Sequence, residues 1–491
     1  MSTSSPSTKV PPKVAYLRSL PSIRERCSKV FSLAQQGKLD YFDYDVSKES
    51  EVVDYCASII ERDFGTDYAS IPPHGRWRHF DVGPLPRITT LLSRWAGALP
   101  SPKVEEDLEG SKPKPVPAIE AARRLVDLFM VSVLLDAGAG TKWKYEEKRT
   151  GLYFSRSEGL AVASLDMFVE GRFCGQQEES ESKDRSGDHL IGSREKVEAK
   201  GLKNLTEDDL AMDMQVHPTE NPMTGIKGRS ELLTRLGEAI ESDENGFFVG
   251  PDPESDRGKR RPGFLVDYLA SHPLTVPCPT PNNPTKLQVP VPVLWEVLIY
   301  GLAPIWPASR TTLEGVAMGD AWPCSVLGGV EKGEQAIVPF HKLSQWMCYS
   351  IMEPIEKTLG WEFVGGDHQT GLPEYRNGGL FVDLGVLKPK PSLLESSQPP
   401  VSKEEYEVGA KIPRLEPSHP AVVEWRAMTV ILLDRTSEAI RSKLKLQPEQ
   451  LVLKQVLESA TWKGGREIAA KKRPQNGGGP PIEIISDGTV F

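Results

Sequence analysis

The sequence predicts a mainly α fold: a helical body with small β-hairpins and long surface loops. Three observations carry this. Apolar residues recur at three- and four-residue spacing in most blocks between the loops. Strand-like patterning is confined to two short stretches. Pro, Gly and charged residues concentrate in a few segments that cannot pack a core.

Taken in order, residues 1–13 are a Ser/Thr/Pro-rich polar tail, expected to be disordered. Residues 14–491 read as a single large helical domain of catalytic type. Loop insertions interrupt it at 100–117, 175–200, 250–290 and 388–418, all placed on its surface. Ala121–Leu135 is apolar on most faces, with Leu125, Leu128, Phe129, Val131 and Leu135, and reads as a central helix. Trp143–Tyr145 and Leu152–Phe154 flank Thr150-Gly151 and read as a hairpin. Ser157 caps a helix that Gly171 stops. Glu231–Glu241 is amphipathic. Phe340–Leu359 is a long apolar helix with Pro354 as a kink or break. Val422–Leu444 is a further helix, and Ile482–Ile485 with Thr489–Phe491 form a terminal ribbon.

Composition narrows the function. The 491 residues carry 59 Lys plus Arg against 68 Asp plus Glu, a net charge of −9. That speaks against a general nucleic-acid binder, which needs positive charge to meet phosphates. The longest apolar stretch, Leu125–Leu135, is interrupted by Asp127 and falls short of the roughly 20 residues of a bilayer span, so no membrane is expected. The N-terminus lacks the apolar core of a secretory signal. Cys27, Cys56, Cys174, Cys278, Cys324 and Cys348 are scattered without a CxxC pair. They read as free thiols in a reducing, cytoplasmic setting. Neither a metal-spaced Cys/His cluster nor a P-loop nor a GxGxxG turn occurs, so no metal and no cofactor are expected.

Four constellations can carry chemistry. In TGLPEYRNGGL (370–380), Glu374, Tyr375 and Arg376 stand between Pro373 and Gly378-Gly379, glycines that could let the backbone approach a ligand. Glu374 can serve as base, nucleophile or cation stabiliser. Equally it can answer a helix dipole, with Arg376 in a surface ion pair. His341 and Lys342 sit just inside a helix start after Pro339, either a phosphate pocket or a solvated first turn. In GRWRHF (75–80), Arg76, Arg78 and His79 alternate with Trp77 and Phe80, as a grip on an anionic or planar ligand or as a structural stack. Asp166 lies on a mostly apolar helix and must be paired or face a cavity. Glu424 and Arg426 are read as salt-bridging residues. His74, His189, His217, His272, His368 and His419 are expected to be solvated or locally bonded.

The blocks GRWRHF (75–80), SVLLDAGAG (132–140), RSEGLAVASLDMF (156–168), GLAPIWP (301–307), VPFHKLSQW (338–346), TGLPEYRNGGLFVDLGVL (370–387), VEWRAMTVILLDR (423–435) and SDGTVF (486–491) resemble the uracil catabolism protein 4 family over essentially the whole chain. That resemblance implies a place in a pyrimidine breakdown route that runs through a ribosylurea-type intermediate to urea. A more distant resemblance links the chain to the queuosine 5′-phosphate N-glycosylase (queuosine salvage) family. Its Phe-Tyr-Lys-Arg-Ala-Gln word is matched by Phe340-His341-Lys342-Leu343-Ser344-Gln345, and its Asp-Tyr-Arg word by Glu374-Tyr375-Arg376. Its Leu-Gly-Val-Leu word stands at Leu384–Leu387, and its Glu-Ile-Arg helix at Glu424-Trp425-Arg426. The Asp becomes Glu374 here, one methylene longer. A further acid of that family falls near Ser350, with Glu353 one turn later.

This second resemblance implies a helical fold related to DNA glycosylases and a small-molecule, nucleotide-derived substrate. It implies cleavage of an N-glycosidic bond at Glu374, with Glu353 near the second acid; Asp166, from its own place on an apolar helix, completes the candidate catalytic set. Lys342, Arg376, Tyr375, Gln345, His341, Arg78 and His79 would bind substrate. Two other readings stand beside it: a non-catalytic metabolite-binding or scaffold protein of the same pathway, and a pyrimidine ring-opening amidohydrolase. The lack of a metal-ligand cluster weighs against the last.

Overall fold

The computed structural model describes residues 9–99, 114–140, 142–175, 190–251, 260–307 and 310–485. Helices dominate it. The longer ones are α1 (Leu20–Ala34), α2 (Glu49–Phe64), α3 (Arg87–Trp95), α4 (Ala118–Leu134), α5 (Arg156–Val169), α6 (Ile226–Glu241), α7 (Val291–Gly301), α8 (Lys342–Leu359), α9 (Tyr375–Asp383), α10 (Pro420–Leu444) and α11 (Trp462–Lys472). Strands are two to four residues long. Among the described residues they form five two-stranded sheets and one three-stranded sheet, with no open parallel sheet.

The core forms around α4 and α8, which pack along each other. Every residue from Arg124 to Leu135 and from Leu343 to Ile355 is buried. A helix that is apolar on all faces has to be central, and each fully buried Leu, Ile or Phe contributes about 1.5–3 kcal/mol. Pro354 lies inside α8 without ending it. One hydrophobic cluster runs from Leu20 to Ile482. α10 lies over α1 and α2, and α9 lies against α11. The last contact is close: a Cβ at Gly465 of α11 would collide with Arg376 O. Gly378 and Gly379 serve the same end. They sit inside α9, where a Cβ would meet Trp425 at 2.7 Å and Pro481 at 2.9 Å. Helix packing, rather than approach to a ligand, requires them.

Several boundaries differ from the sequence reading. The tail is shorter, because Pro12–Leu17 is helical and buries Val14 and Leu17. The hairpin pairs Tyr145–Glu147 with Leu152–Phe154, and Trp143 is a core residue donating to Met214 O at 2.9 Å. α5 begins at Arg156 rather than after Ser157. The terminal strand Glu483–Ile484 pairs in parallel with Arg414–Leu415; residues 486–491 lie outside the described residues.

The expected surface insertions are partly structural. Asp127, wholly buried on α4, pairs with Arg261 at 2.6 Å. It also accepts the amides of Gly263 and Val197 at 2.7 and 3.1 Å. One carboxylate thus ties segments 190–200 and 260–264 to the core. Burial pushes its pKa up to about 6, with Arg261 pulling the other way.

A second buried pair organises the half of the molecule that matters for function. Arg426 of α10 grips Asp320 with both ends of its fork, Nη1 to Oδ1 at 2.7 Å and Nη2 to Oδ2 at 2.8 Å. Asp320 Oδ2 also accepts the Lys342 amide at 2.9 Å, and Arg426 Nε donates to Pro373 O at 3.1 Å. The starts of α8 and α9 are therefore set by one ion pair. Glu424, two residues earlier on α10, forms no salt bridge among the described residues. Its carboxylate accepts the amides of Asp40, Tyr41 and Phe42. Removing one partner of a buried pair leaves the other charge unsolvated. Asp320→Ala is expected to lower unfolding free energy by about 3–5 kcal/mol in urea titrations. A loss under about 1 kcal/mol, the scale of an exposed pair, would refute the role given to it.

Candidate functional site

Three helix N-termini point at one cavity of about 680 Å³. They are the first turns of α5 (Arg156, Ser157, Glu158), α8 (Lys342) and α9 (Glu374, Tyr375, Arg376). Unpaired amides and the helix dipole make such ends receptive to negative charge. Two of them begin on strained backbone: Arg156 has φ 56° and His341, which precedes Lys342, has φ 45°. Non-glycine residues at such angles persist only where the surroundings hold them, often at functional sites. The Asp136–Gly140 turn after α4 forms another wall, with His74, His79, Trp346 and Trp462 beside it. The segments 399–414 and 476–485 close the far side. Residues 388–418 therefore do more than decorate the surface: Val401 and Leu415 are buried, and the parallel strand pair holds them over the cavity.

Of the residues singled out from sequence, His79, Lys342, Glu374, Tyr375 and Arg376 line this cavity. The others do not, for identifiable reasons. Asp166 lies more than two turns further along α5 than the cavity-lining Glu158 and accepts the Tyr145 hydroxyl at 2.9 Å. Burial, with Glu147 also acting upward, raises its pKa to about 6. Glu353 is buried against Arg78 at 2.5 Å, which takes both side chains away from the cavity. Lys357 adds to that pair at 3.7 Å. Gln345 is a core staple, donating to Thr370 Oγ1 and accepting the Thr370 amide, both at 2.8 Å. His341 points backwards to donate Nε2–H to Leu17 O at 2.9 Å, and burial lowers its pKa to about 4.

Glu374 caps α9. Its carboxylate accepts the amides of Arg376 at 2.8 Å and Asn377 at 2.5 Å. Burial nevertheless raises its pKa, against those amides and against Lys342 and Arg376. The sign is opposite to the one expected from Arg376 alone, because a fully enclosed carboxylate loses more to desolvation than one neighbouring cation returns. Arg376 lies over the Tyr375 ring and donates to Gly478 O at 2.8 Å. Arg156 donates to Gly477 O at 2.9 Å. Burial lowers its pKa, and Arg376 lowers it further. Neither guanidinium forms an ion pair with a carboxylate among the described residues, and no hydrogen bond or ion pair reaches Lys342 Nζ. Burial lowers the Lys342 pKa, while Glu374 and then Asp136 act to raise it.

Asp136, Arg156 and Glu158 were not singled out from sequence. Asp136 pairs with Arg76 at 2.7 Å. Burial acts to raise its pKa, but Arg76 prevails and holds it below the ordinary carboxylate value. Arg76 is fully buried and also donates to Ser132 Oγ at 2.9 Å. Of the GRWRHF segment, then, only His79 reaches the cavity. Asp136 had a signal: it is the first polar residue after the central helix and precedes a Gly-Ala-Gly turn. His74 is not solvated. It is 3% exposed and bonds Glu458 at 2.6 Å. Among the described residues no group of three or more His, Cys, Asp or Glu side chains is arranged to hold a metal ion, and no helix is long and apolar enough to cross a membrane.

The fold and site define a mainly α-helical protein with a cavity in which Arg156, Lys342 and Arg376 have no carboxylate salt-bridge partner among the described residues. The family described as "Protein of unknown function (DUF1688)" matches residues 16–491. The chain is 41% identical over 487 residues to uracil catabolism protein 4 of Lachancea kluyveri, covering 97% of this chain and 99% of that one. It is 40% identical over 480 residues to protein urg3 of Schizosaccharomyces pombe, again covering 97% and 99%. The chain belongs to the family that contains these proteins, as the sequence blocks indicated.

The placement of His341 has a pH consequence. Its native pKa of about 4 lies below its ordinary 6.5. Between those values the unfolded chain binds a proton that the native chain refuses, so stability falls as pH drops through this window. Asn tolerates the left-handed backbone and can donate to Leu17 O without titrating. The parent should lose more stability than His341→Asn on going from pH 7 to 4.5, by on the order of 2 kcal/mol, in urea midpoints at the two pH values. Equal losses would refute the assignment.

Proposed function

We propose that this protein acts in uracil catabolism as an N-glycosidase. Its substrate would be a ribosyl phosphate of the ribosylurea type, split into a ribose phosphate and urea or a base. The observation that carries the reading is the charge arrangement of the cavity. Two carboxylates with oppositely shifted pKa values, Asp136 and Glu374, share it with Lys342, whose ammonium feels both. Arg156 and Arg376 stand beside them without carboxylate partners. The name of the Lachancea kluyveri relative supplies the pathway.

Each group has a task in this chemistry. Arg156 and Arg376, at the N-termini of α5 and α9, suit a phosphate dianion, which would relieve their mutual repulsion. Breaking the glycosidic bond develops positive charge on the ribose. Asp136, kept ionised by Arg76, suits stabilising that charge. Glu374, whose pKa burial raises, suits donating a proton to the departing nitrogen. Pairs of carboxyls pushed apart in this way divide acid and base roles. A water molecule then bonds to the anomeric carbon as the C–N bond breaks, and its proton restores the carboxyl pair. Phosphate binding remote from the reacting bond positions the sugar.

The test is to incubate the purified protein with ribosylurea, its 5′-phosphate and a panel of nucleoside 5′-phosphates, and to assay free urea, free base and ribose 5-phosphate. Turnover of a phosphorylated substrate is expected. No release from any of them refutes the enzyme and leaves a binding protein of the same pathway. Asp136→Asn should retain phosphate-ligand binding and lose on the order of a hundredfold in kcat, the scale of removing a principal electrostatic stabiliser. Arg156→Ala should raise KM for the phosphorylated substrate much more than for the free nucleoside.

A further inference from the structure

The cavity has a second wall that the phosphate and the carboxylates do not use. His74 and His79 each contact both Trp346 and Trp462. Centroid separations are 4.8 and 5.5 Å for His74 and 5.7 Å to each indole for His79. All four rings line the cavity. His74 has a partner in Glu458. His79 does not: Nδ1 is buried with nothing to bond, and no hydrogen bond reaches its other nitrogen among the described residues. The ring is 5% exposed and lines the cavity; Nδ1 is closed off, whereas Nε2 is not among the buried unpartnered atoms and is the nitrogen left for a ligand. Neither indole N–H donates a hydrogen bond among the described residues. A buried imidazole with no partner costs free energy unless something outside the apo chain completes it.

We propose that this aromatic wall is the subsite for the group leaving the sugar. The group is a planar, uncharged ureido or pyrimidinone moiety that lies against Trp346 and Trp462 and exchanges a hydrogen bond with His79. This deepens the N-glycosidase reading and rests on it for the identity of the sugar phosphate. The chemistry favours a neutral ligand. Burial and the neighbouring Arg76 lower the His79 pKa to about 4, so the imidazole stays uncharged at physiological pH and can donate or accept. An anion would find no charge there and would go to Arg156 and Arg376. Planarity follows from the rings: flat faces recognise flat groups, and each N–H or carbonyl of a ureido unit has a complementary edge. Arg466 covers part of Trp462, at 4.9 Å from its ring, but is neutralised by Glu158 at 2.7 Å.

Calorimetric binding without turnover separates this subsite from the reaction. The probes are uridine 5′-monophosphate, which carries a planar pyrimidinone, and ribose 5-phosphate, which lacks it. The parent should bind the nucleotide at least tenfold more tightly. His79→Phe keeps a ring and removes the hydrogen bond. Trp462→Leu removes the flat face and keeps apolar volume. Each should lower nucleotide affinity about tenfold and change ribose 5-phosphate affinity less than about twofold, with melting temperatures showing that the variants fold. Equal affinity of the parent for the two probes overturns the subsite and leaves the phosphate reading intact, as does an equal loss for both probes in the variants. Binding of neither probe overturns both. Preferential nucleotide binding supports the subsite, and absence of release from ribosylurea 5′-phosphate and every nucleoside 5′-phosphate in the same preparation refutes the N-glycosidase alone.

Discussion

Everything in the candidate site hangs on the pair between Arg426 and Asp320. It is buried, bidentate and connected. Asp320 accepts the Lys342 amide and Arg426 donates to Pro373 O, so the helices that present Lys342 and Glu374 start from a common anchor. Burial acts to raise the Asp320 pKa, and Arg426 overcomes it by a wide margin. The pair is costly to bury and costlier to break. Its contribution is registry: two helix N-termini far apart in sequence stay aimed at one point. Trp322, donating to Asp320 at 2.8 Å, uses a remaining lone pair of the carboxylate.

The cavity inherits a charge problem from that registry. Helix N-termini carry partial positive charge, and Arg156, Lys342 and Arg376 add whole charges to the same space. Asp136 offsets only part, since it is engaged by Arg76, and the Glu374 carboxyl is taken up by two backbone amides. The strained backbone at Arg156 and His341 places residues at the same helix starts. An arrangement in which like charges face each other, on backbone held away from its minimum, is stable only because the packed helices behind it leave no cheaper alternative. On the function proposed above, such a site is prepared for an anion before one arrives.

The fold class was legible because α4 and α8 are apolar on nearly every face, and a helix of that kind has one place to go. The family was legible too, because its longest words encode these helices and the turns around them. Glu374, Lys342 and Arg376 were legible because helix-start chemistry is local. The differences between expected and observed placements share a physical origin. Asp166 and Glu353 look as promising in sequence as Asp136 does. Position along the helix and the neighbours met there separate a carboxylate that meets a tyrosine or an arginine from one at a helix end that meets a cavity. His74 sits in loop-like sequence yet is enclosed, because two tryptophans more than 270 residues away in the chain close over it. The Gly378-Gly379 pair reads as a ligand cradle, but the indole of Trp425 and the ring of Pro481 occupy the space.

The sequence by itself determined which segments become helices, which side chains must be central, and where polar groups cap helix starts. Those properties depend on neighbours a few residues apart. The tertiary structure decided which carboxylates share a cavity, which cations go without a carboxylate partner, and the sign of each pKa shift. Desolvation depends on every atom packed around a group, so it could raise the Glu374 pKa although the residue two places along carries a positive charge. It could equally leave Asp136 acidic, because Arg76, 60 residues away in the chain, is pressed against it.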